Sequence, residues 1–481
     1  MESQKVNIPT ILVILGATGD LMTKKVIPAL FYLHEQKKLP EQFKIIGFSR
    51  RDLTEENFNS HIAEIIDAAY PSHNPDTRKI FLEYFIFQRG NFDVKEDFQA
   101  LAKILGEIDT QWGICTNKLF YLAVHPNHFE QIFDNMAFAG LTIGCGPEEG
   151  WSRVVVEKPF GNNLDSAKKL DEVIGTHFKE SQIYRIDHYP AKDMLQNLLT
   201  FRFSNNLFEQ SWNNEHIESV NIRLWETLGV EKRGAFYDKV GALRDMGQNH
   251  ILQMIALIAM EHPINYSADA IRKKRAEILE RLAVPTKEEI AKHTFRAQYD
   301  GYRAIENVEQ NSQTETYFKA HVFLDTPRWQ NVPFIIESGK RLAEARKEIV
   351  ITFKHPTPCL CPTDTHHLKN TIAFKIEPEE KVTLHIWTKK PGLTYDVEER
   401  VVELPYWQTG ATTIQYAGNY AKMIYDAIVG DQTLFTSTEE IRHTWRFIDA
   451  IISAWDEDVV KLETYMPDTS EAISKAARAE A

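Results

Sequence analysis

Two short polar clusters carry residue types able to do chemistry. The first is Arg185-Ile186-Asp187-His188-Tyr189, with Lys192 close behind. His, Tyr and Lys all donate hydrogen bonds, so His188, Tyr189 and Lys192 outline a cradle for a phosphate. The second is Arg244-Asp245-Met246-Gly247-Gln248-Asn249-His250, leading into the apolar stretch from Ile251 to Met260. A histidine at the polar start of a buried helix can serve as a general base, because its pKa lies near working pH. It can equally be a capped core histidine, and spacing alone does not choose. Asp245 precedes His250 by five residues, about 140° around an ideal α-helix. An acid that orients His250 is therefore expected from elsewhere in the fold, and Asp187 is the candidate.

A third cluster concerns a nucleotide. Gly16-Ala17-Thr18-Gly19-Asp20-Leu21 follows the unbroken apolar run Ile11-Leu12-Val13-Ile14-Leu15 and precedes a helical pattern. Glycines there let the backbone approach a pyrophosphate at a helix N-terminus. The motif lacks the third glycine of the full fingerprint, and a plain strand-to-helix turn is the alternative. The next strand, Lys44-Ile45-Ile46-Gly47-Phe48, ends in Ser49-Arg50-Arg51. Sites for NAD place a carboxylate at about this point to bind the ribose 2′-hydroxyl. A guanidinium in its place pairs with a 2′-phosphate and favours NADP.

These clusters need elements to position them. Leu119 to Val124 and Val154-Val155-Val156 read as two more buried strands, with helical stretches between. The alternation predicts a right-handed parallel α/β domain. Val26, Ala29, Leu30 and Leu33 share one face of the first helix, and Pro28 inside it marks a kink or a late start. Beyond about residue 200 the pattern changes. Ile372, Phe374 and Ile376, then Val382, Leu384 and Ile386, alternate with other residues as in an antiparallel sheet with one buried face. Thr286-Lys287-Glu288-Glu289 has capping-box spacing. The expected fold is therefore α/β: an N-terminal Rossmann-like domain, 1–195, and a C-terminal α+β domain, 196–481, with a large, mainly antiparallel sheet. The segment from Asp468 to Ala481 reads as a frayed helix or a tail.

A chain of 481 residues favours more than one domain. Its formal net charge of -13 argues against nucleic acid or an anionic membrane as partner, yet a few local cations can still hold an anionic substrate. Met1-Glu2-Ser3-Gln4-Lys5 has no secretory pattern, and no apolar run is long enough to span a bilayer. The four cysteines, Cys115, Cys145, Cys359 and Cys361, suit free thiols in a reducing cytoplasm. Cys359, Cys361, His366 and His367 fit no standard zinc spacing, so no metal site is expected. The basic run Arg272-Lys273-Lys274-Arg275 reads as a solvated helix face.

Taken together, the motifs resemble the glucose-6-phosphate dehydrogenase family. The resemblance rests on Gly16 to Leu21 with Pro28-Ala29-Leu30, Glu157-Lys158-Pro159-Phe160-Gly161, the two clusters around Asp187 and His250, Val332-Pro333-Phe334, Gly339-Lys340, Pro391-Gly392, and Gly430-Asp431 with Thr433-Leu434-Phe435. They occur in family order over residues 10–455. The resemblance implies His250 as the base that removes the C1 hydroxyl proton of glucose 6-phosphate, with Asp187 orienting it. It implies phosphate contacts from His188, Tyr189, Lys192 and Lys340, and sugar contacts from Lys158, Glu226 and Asp245. Gly16, Thr18, Gly19, Asp20, Leu21 and Arg50 are implied to bind NADP, with Ala123 and Lys158 near its nicotinamide. A cytoplasmic homodimer or homotetramer formed through the large sheet domain is expected. The chain departs from the family at Pro190-Ala191, where Leu-Gly is usual, at His125-Pro126 for Pro-Pro, and at Glu337-Ser338 before Gly339-Lys340. A second basic residue expected after Lys340 is not clearly marked, with Ala345 followed by Arg346. These departures bear on phosphate affinity and leave the base untouched.

Overall fold

The computed structural model describes residues 9–146, 150–358, 368–406 and 418–479. β1 (Thr10–Leu15) is buried at every position, as an apolar run must be when helices cover both faces of a parallel sheet. β2 (Phe43–Ser49), β3 (Phe85–Arg89), β4 (Asn117–Leu122), β5 (Ser152–Glu157) and β6 (Ile183–Ile186) complete a six-stranded sheet. All its pairings are parallel, in the order β3-β2-β1-β4-β5-β6. The strand order reverses between β1 and β4, which opens a crevice at their carboxyl ends. The first helix starts late: a π-helical turn, Met22–Val26, precedes the α-helix Ile27–Glu35. Pro28 thus lies in the first α-helical turn, where a missing N–H costs little.

The second half builds a nine-stranded sheet from β7 (Ile217–Trp225), β8 (Thr294–Tyr299), β9 (Tyr317–Val322), β10 (Phe334–Gly339), β11 (Arg346–Phe353), β12 (Thr371–Glu377), β13 (Lys381–Lys389), β14 (Val397–Pro405) and β15 (Leu462–Tyr465). The order is β14-β13-β12-β11-β7-β10-β9-β8-β15. Only β7 with β10 and β8 with β15 run parallel; the other pairings are antiparallel. Ile372, Phe374, Ile376 and Val382 are buried as their alternation predicts. Ile386 is exposed, because helix cover thins toward the outer strands. The two halves share core. The helix Asn419–Val429 returns to the parallel sheet, where Met423, Ile424, Ala427 and Ile428 join Leu12, Ile14, Tyr121 and Val155.

Three local expectations are corrected and one holds. The run Arg272 to Arg275 is not wholly solvated. Arg275 is 1% exposed; its Nε pairs with Glu440 Oε1 at 2.7 Å, and it donates to the carbonyls of Thr433 and Phe435 at 2.8 Å. Arg272 reaches Glu180 and Gln432. Helical periodicity puts these two arginines on the face opposite exposed Lys273, and that face is buried. Cys115 and Cys145 are not free: they form a disulfide with their Cα atoms 6.5 Å apart. One precedes β4 and the other precedes β5, so strand pairing brings them together. The chain end is not frayed through its helix, Glu471–Ala479. Ala472 and Ala476, one turn apart, are fully buried in a cluster with Tyr465. The capping box holds: Thr286 Oγ1 accepts from the Glu289 amide, and Glu289 accepts from the Thr286 amide. Cys359, Cys361, His366 and His367 lie outside the described residues.

Removing one member of a buried ion pair strands the other. Arg275→Met should therefore lose about 3–5 kcal/mol of stability in urea unfolding. Adding Glu440→Leu to that variant should restore most of it; a double variant no more stable than the single would refute the pairing as the source.

Candidate active site

The residues that end the parallel strands line one edge. Gly16 follows β1, Ala123 follows β4, Lys158 follows β5 and Asp187 follows β6. These strands are consecutive across the sheet, so Gly16 and Asp187 are about three strand spacings, some 14 Å, apart.

The Asp187 carboxylate meets a histidine from the second half of the chain. His250 Nδ1 lies 2.6 Å from Asp187 Oδ1, and both side chains are 1% exposed. With Nδ1–H donated to the carboxylate, the Nε2 lone pair is left to act. Lys158 Nζ stands 2.9 Å from Nε2. The Asp187 Oδ1 also accepts from the Tyr189 amide at 3.0 Å. The Tyr189 ring stacks on the imidazole with centroids 4.0 Å apart, and the His188 ring packs edge-on at 4.8 Å.

The helix carrying His250 is not α-helical here. Leu243–Ile251 forms a π-helix, followed by the α-helix Leu252–Ala259. In a π-helix residues i and i+5 are hydrogen-bonded neighbours, one turn apart. Asp245 and His250 therefore share a side, contrary to the divergence expected of an α-helix. Lys158 bridges them, 3.5 Å from Asp245 Oδ1 and 2.9 Å from His250 Nε2. The acid on Nδ1 is nonetheless Asp187, the one expected from elsewhere in the fold.

Burial and charge set the protonation. Burial pushes the His250 pKa below the ordinary histidine value; Asp187 opposes this and Lys158 adds to it. Burial raises the Asp187 carboxyl, but the charges of His250, His188 and Lys158 outweigh it and hold the group well below the usual carboxylate range. His188 is pushed down to about 3 by burial and by His250. Glu157, beside Lys158, is raised to about 7, chiefly by burial. It accepts from Tyr121 Oη at 2.5 Å and hydrogen-bonds Tyr420.

Next to this pair lies a cavity of about 440 Å³ with His188, Tyr189 and Lys192 in its wall. Lys347 and Glu377 complete that wall, together with Lys24 and Lys25. Lys192 and Lys347 both bind Glu377, one on each carboxylate oxygen. Their ammonium groups lie 5.2 Å and 5.9 Å from the Tyr189 ring centre. Lys192 takes its aim from a turn in which its N–H donates to the Tyr189 carbonyl across Pro190-Ala191, with Ala191 buried. Lys340 is not in this wall. It pairs with Glu226 Oε2 at 2.5 Å and exerts its charge on Asp245. Sequence reading did not single out Lys347, Glu377, Tyr121 or Tyr420. The available signal was the missing second cation after Lys340: Lys347 follows Arg346 directly. Arg346 instead lies over Trp225, with its guanidinium 4.9 Å from the ring centre.

At the crevice, Gly16 has φ +92°, and a Cβ there would stand 2.6 Å from the Ala123 carbonyl oxygen. A side chain is excluded both by the backbone angle and by the neighbouring strand end. The Gly16 and Ala17 amides bind the Phe48 carbonyl, and Gly19 N–H closes the turn on Gly16. Thr18 Oγ1 meets Ser49 Oγ at 2.8 Å, tying this loop to the end of β2. Asp20 faces solvent and pairs with Lys24, and Leu21 leads into the π-helical turn. Arg50 packs its guanidinium 5.7 Å from the Phe92 ring centre and has no carboxylate partner among the described residues. Asp52, the nearby acid, is taken by Arg89. A free guanidinium at this strand end, beside a glycine turn at the switch point, fits a dinucleotide bearing a 2′-phosphate.

A dinucleotide crevice two strands from a buried imidazole–carboxylate pair defines a nicotinamide-dependent oxidoreductase. Comparison with known proteins is specific about which. Residues 13–197 match the family model of the glucose-6-phosphate dehydrogenase NAD binding domain, and residues 199–480 that of its C-terminal domain. The glucose-6-phosphate 1-dehydrogenase of Chlamydia pneumoniae is 36% identical over 471 residues, 94% of this chain and 90% of that protein. That of Bacillus subtilis is 35% identical, covering 92% of this chain and 91% of the relative. A solved glucose-6-phosphate dehydrogenase in complex with its substrate glucose-6-phosphate superposes with TM-score 0.89 at 28% identity, covering 100% of this chain and 99% of that one. The chain belongs to the glucose-6-phosphate dehydrogenase family.

Arg50→Ala should raise KM for NADP by about 10- to 100-fold, the worth of a charge-assisted bidentate contact, and leave KM for NAD within about twofold. Steady-state kinetics with both cofactors checks this; equal losses for the two would assign Arg50 a role other than reading the 2′-phosphate.

Proposed function

We propose that this chain oxidises glucose 6-phosphate at C1 to 6-phosphogluconolactone with NADP, with His250 as general base and Asp187 as its orienting acid. The observation that carries the reading is the buried 2.6 Å contact between His250 Nδ1 and Asp187, which leaves the Nε2 lone pair, faced by Lys158 Nζ, as the basic atom. NADP, when bound, supplies the hydride acceptor. His250 Nε2 takes the C1 hydroxyl proton as the C1–H bond gives up its hydride, so a C=O bond replaces O–H and C–H. Asp187 stabilises the imidazolium that results. The substrate hydroxyl takes the place of Lys158 Nζ at Nε2, and Lys158 remains beside it, held by Asp245.

The sugar hydroxyls are read by Lys158, Asp245 and Glu226, and the phosphate by His188, Tyr189 and Lys192. Lys340, paired with Glu226, adds positive charge on the sugar side. Gly16, Thr18, Gly19, Asp20, Leu21 and Arg50 hold the nucleotide, with Ala123 and Lys158 toward the nicotinamide. The reading includes two units, 1–195 and 196–481. It also includes a homodimer or homotetramer through the large sheet, supported by the exposed Val401, Val402 and Leu404 on β14. A cytoplasmic location completes it; no helix among the described residues is long and apolar enough to cross a membrane. Rapid reduction of NADP with glucose 6-phosphate, abolished by His250→Ala, tests the whole reading. Absence of turnover in the unaltered protein would overturn it.

The base must be neutral to accept a proton. As pH falls, His250 binds a proton and activity is lost. Because burial lowers its pKa, the acid limb of kcat/KM should fall below about pH 6.5. A limb above neutrality would exclude His250 as the titrating base.

Asp187→Asn removes the charge that raises the His250 pKa and lets an amide present either its oxygen or its NH2 to Nδ1, so the imidazole tautomer is no longer fixed. The acid limb should then move to still lower pH, and kcat should drop by about 10²- to 10⁴-fold. A variant with near-normal kcat would deny Asp187 that role.

A further inference from the structure

We propose that Glu377 is a specificity-determining residue: a built-in anion that competes with the substrate's phosphate for Lys192 and Lys347, so that only a dianion displaces it. The inference rests on the glucose 6-phosphate reading above and deepens it. Glu377 ends β12 and lies opposite Lys347 at the start of β11, in register across the sheet. Lys192 arrives from the far side of the chain, at the N-cap of the helix Asp193–Phe203. Glu377 spends one carboxylate oxygen on each lysine. Among the described residues, neither lysine has another carboxylate within ion-pair reach. The other lysines near the base are held differently, Lys158 by Asp245 and Lys340 by Glu226.

The charge arithmetic gives this arrangement a consequence. Two ammonium groups match a phosphate ester, which carries about −1.5 to −2 at neutral pH. With Glu377 present the trio is a single net cation. Burial pushes the Glu377 carboxyl up, but its two lysines outweigh that and hold it below the usual carboxylate range, so it stays an anion at neutral pH. A monoanion arriving at the lysines gains no more than Glu377 already supplies. A dianion gains more, and the half-exposed Glu377 can turn outward to water while buried Lys192 stays in place. The exchange weakens sugar-phosphate binding in return for discrimination against sugars bearing one negative charge or none.

Glu377→Gln keeps the shape and removes the charge. It should lower KM for glucose 6-phosphate by about three- to tenfold, with the change falling on KM rather than kcat. It should lower the inhibition constant of inorganic phosphate in parallel, and reduce the preference of phosphate over the monoanion glucuronate. Lys347→Met should do the opposite, raising KM for glucose 6-phosphate and weakening phosphate inhibition. Calorimetric titration of each protein with inorganic phosphate reads the same competition without catalysis, so the inference can fail while turnover stands, and the reverse. If Glu377→Gln leaves phosphate affinity unchanged or weakens it, Glu377 is a scaffold for the two lysines and the proposal is overturned. Unaltered phosphate binding in Lys347→Met overturns it equally.

Discussion

The contact between His250 and Asp187 constrains everything around it. Two titratable groups at 1% exposure are costly to bury, and either alone would be worse than neither. The pair is tolerable because its polar atoms are largely committed. Nδ1 and Oδ1 face each other, the Tyr189 amide adds a donor to Oδ1, and Lys158 faces Nε2. The rings of Tyr189 and His188 wall the imidazole on two sides and hold its plane. The π-helix serves the same end. Regular α-helical geometry would swing Asp245 well away from His250 and leave Lys158 able to reach only one of them.

The two sheets divide the work. The parallel sheet aligns the ends of four consecutive strands, so Gly16, Ala123, Lys158 and Asp187 fall in a row fixed by strand spacing. The second half of the chain supplies His250 on its π-helix and the charged residues Glu226, Lys340, Lys347 and Glu377 from the ends of β7, β10, β11 and β12. Relative placement of these two sets decides whether the site exists. Their shared core, including the return of Asn419–Val429 to the first sheet, makes that placement part of folding rather than of a hinge.

Period and punctuation made much of this legible from sequence. An unbroken apolar run ending in glycine named β1 and its turn, and alternation at Ile372, Phe374 and Ile376 named β12. Arg50 stood out in the sequence because it ends a strand at a set distance from the glycines, where a dinucleotide's ribose would lie. Other features depend on neighbours far away in the chain. Nothing local distinguishes Arg275, buried against Glu440, from exposed Lys273 in the same basic run. The Cys115–Cys145 link follows from adjacent strands whose pairing the sequence does not print. The π-helix was hidden because Arg244 to His250 offers no local signature against an ordinary helix, and an α-helical ruler then misplaced Asp245. Lys347 was hidden because Ala345 and Arg346 stand before it where a second cation was expected after Lys340, and Arg346 lies over Trp225 instead.

The lysines of the site show how stability and affinity pull apart. Lys192 and Lys347 in the cavity wall, and Lys158 and Lys340 elsewhere in the site, are each matched by a carboxylate: Glu377 for the first two, Asp245 and Glu226 for the others. Such pairing stabilises the folded chain and orders the lysines before substrate arrives, which lowers the entropy lost on binding. It also means that any anion approaching these lysines competes with protein carboxylates rather than with water. The three acids differ in what that competition entails. Asp245 is nearly buried and sits one π-helical turn from His250, so displacing it would disturb Lys158 and His250 together. Glu226 and Glu377 are more exposed, and their loss of a lysine can be repaid by solvent. Exchange of a carboxylate is therefore less disruptive at Glu377 and Glu226 than at Asp245, whose lysine also faces His250.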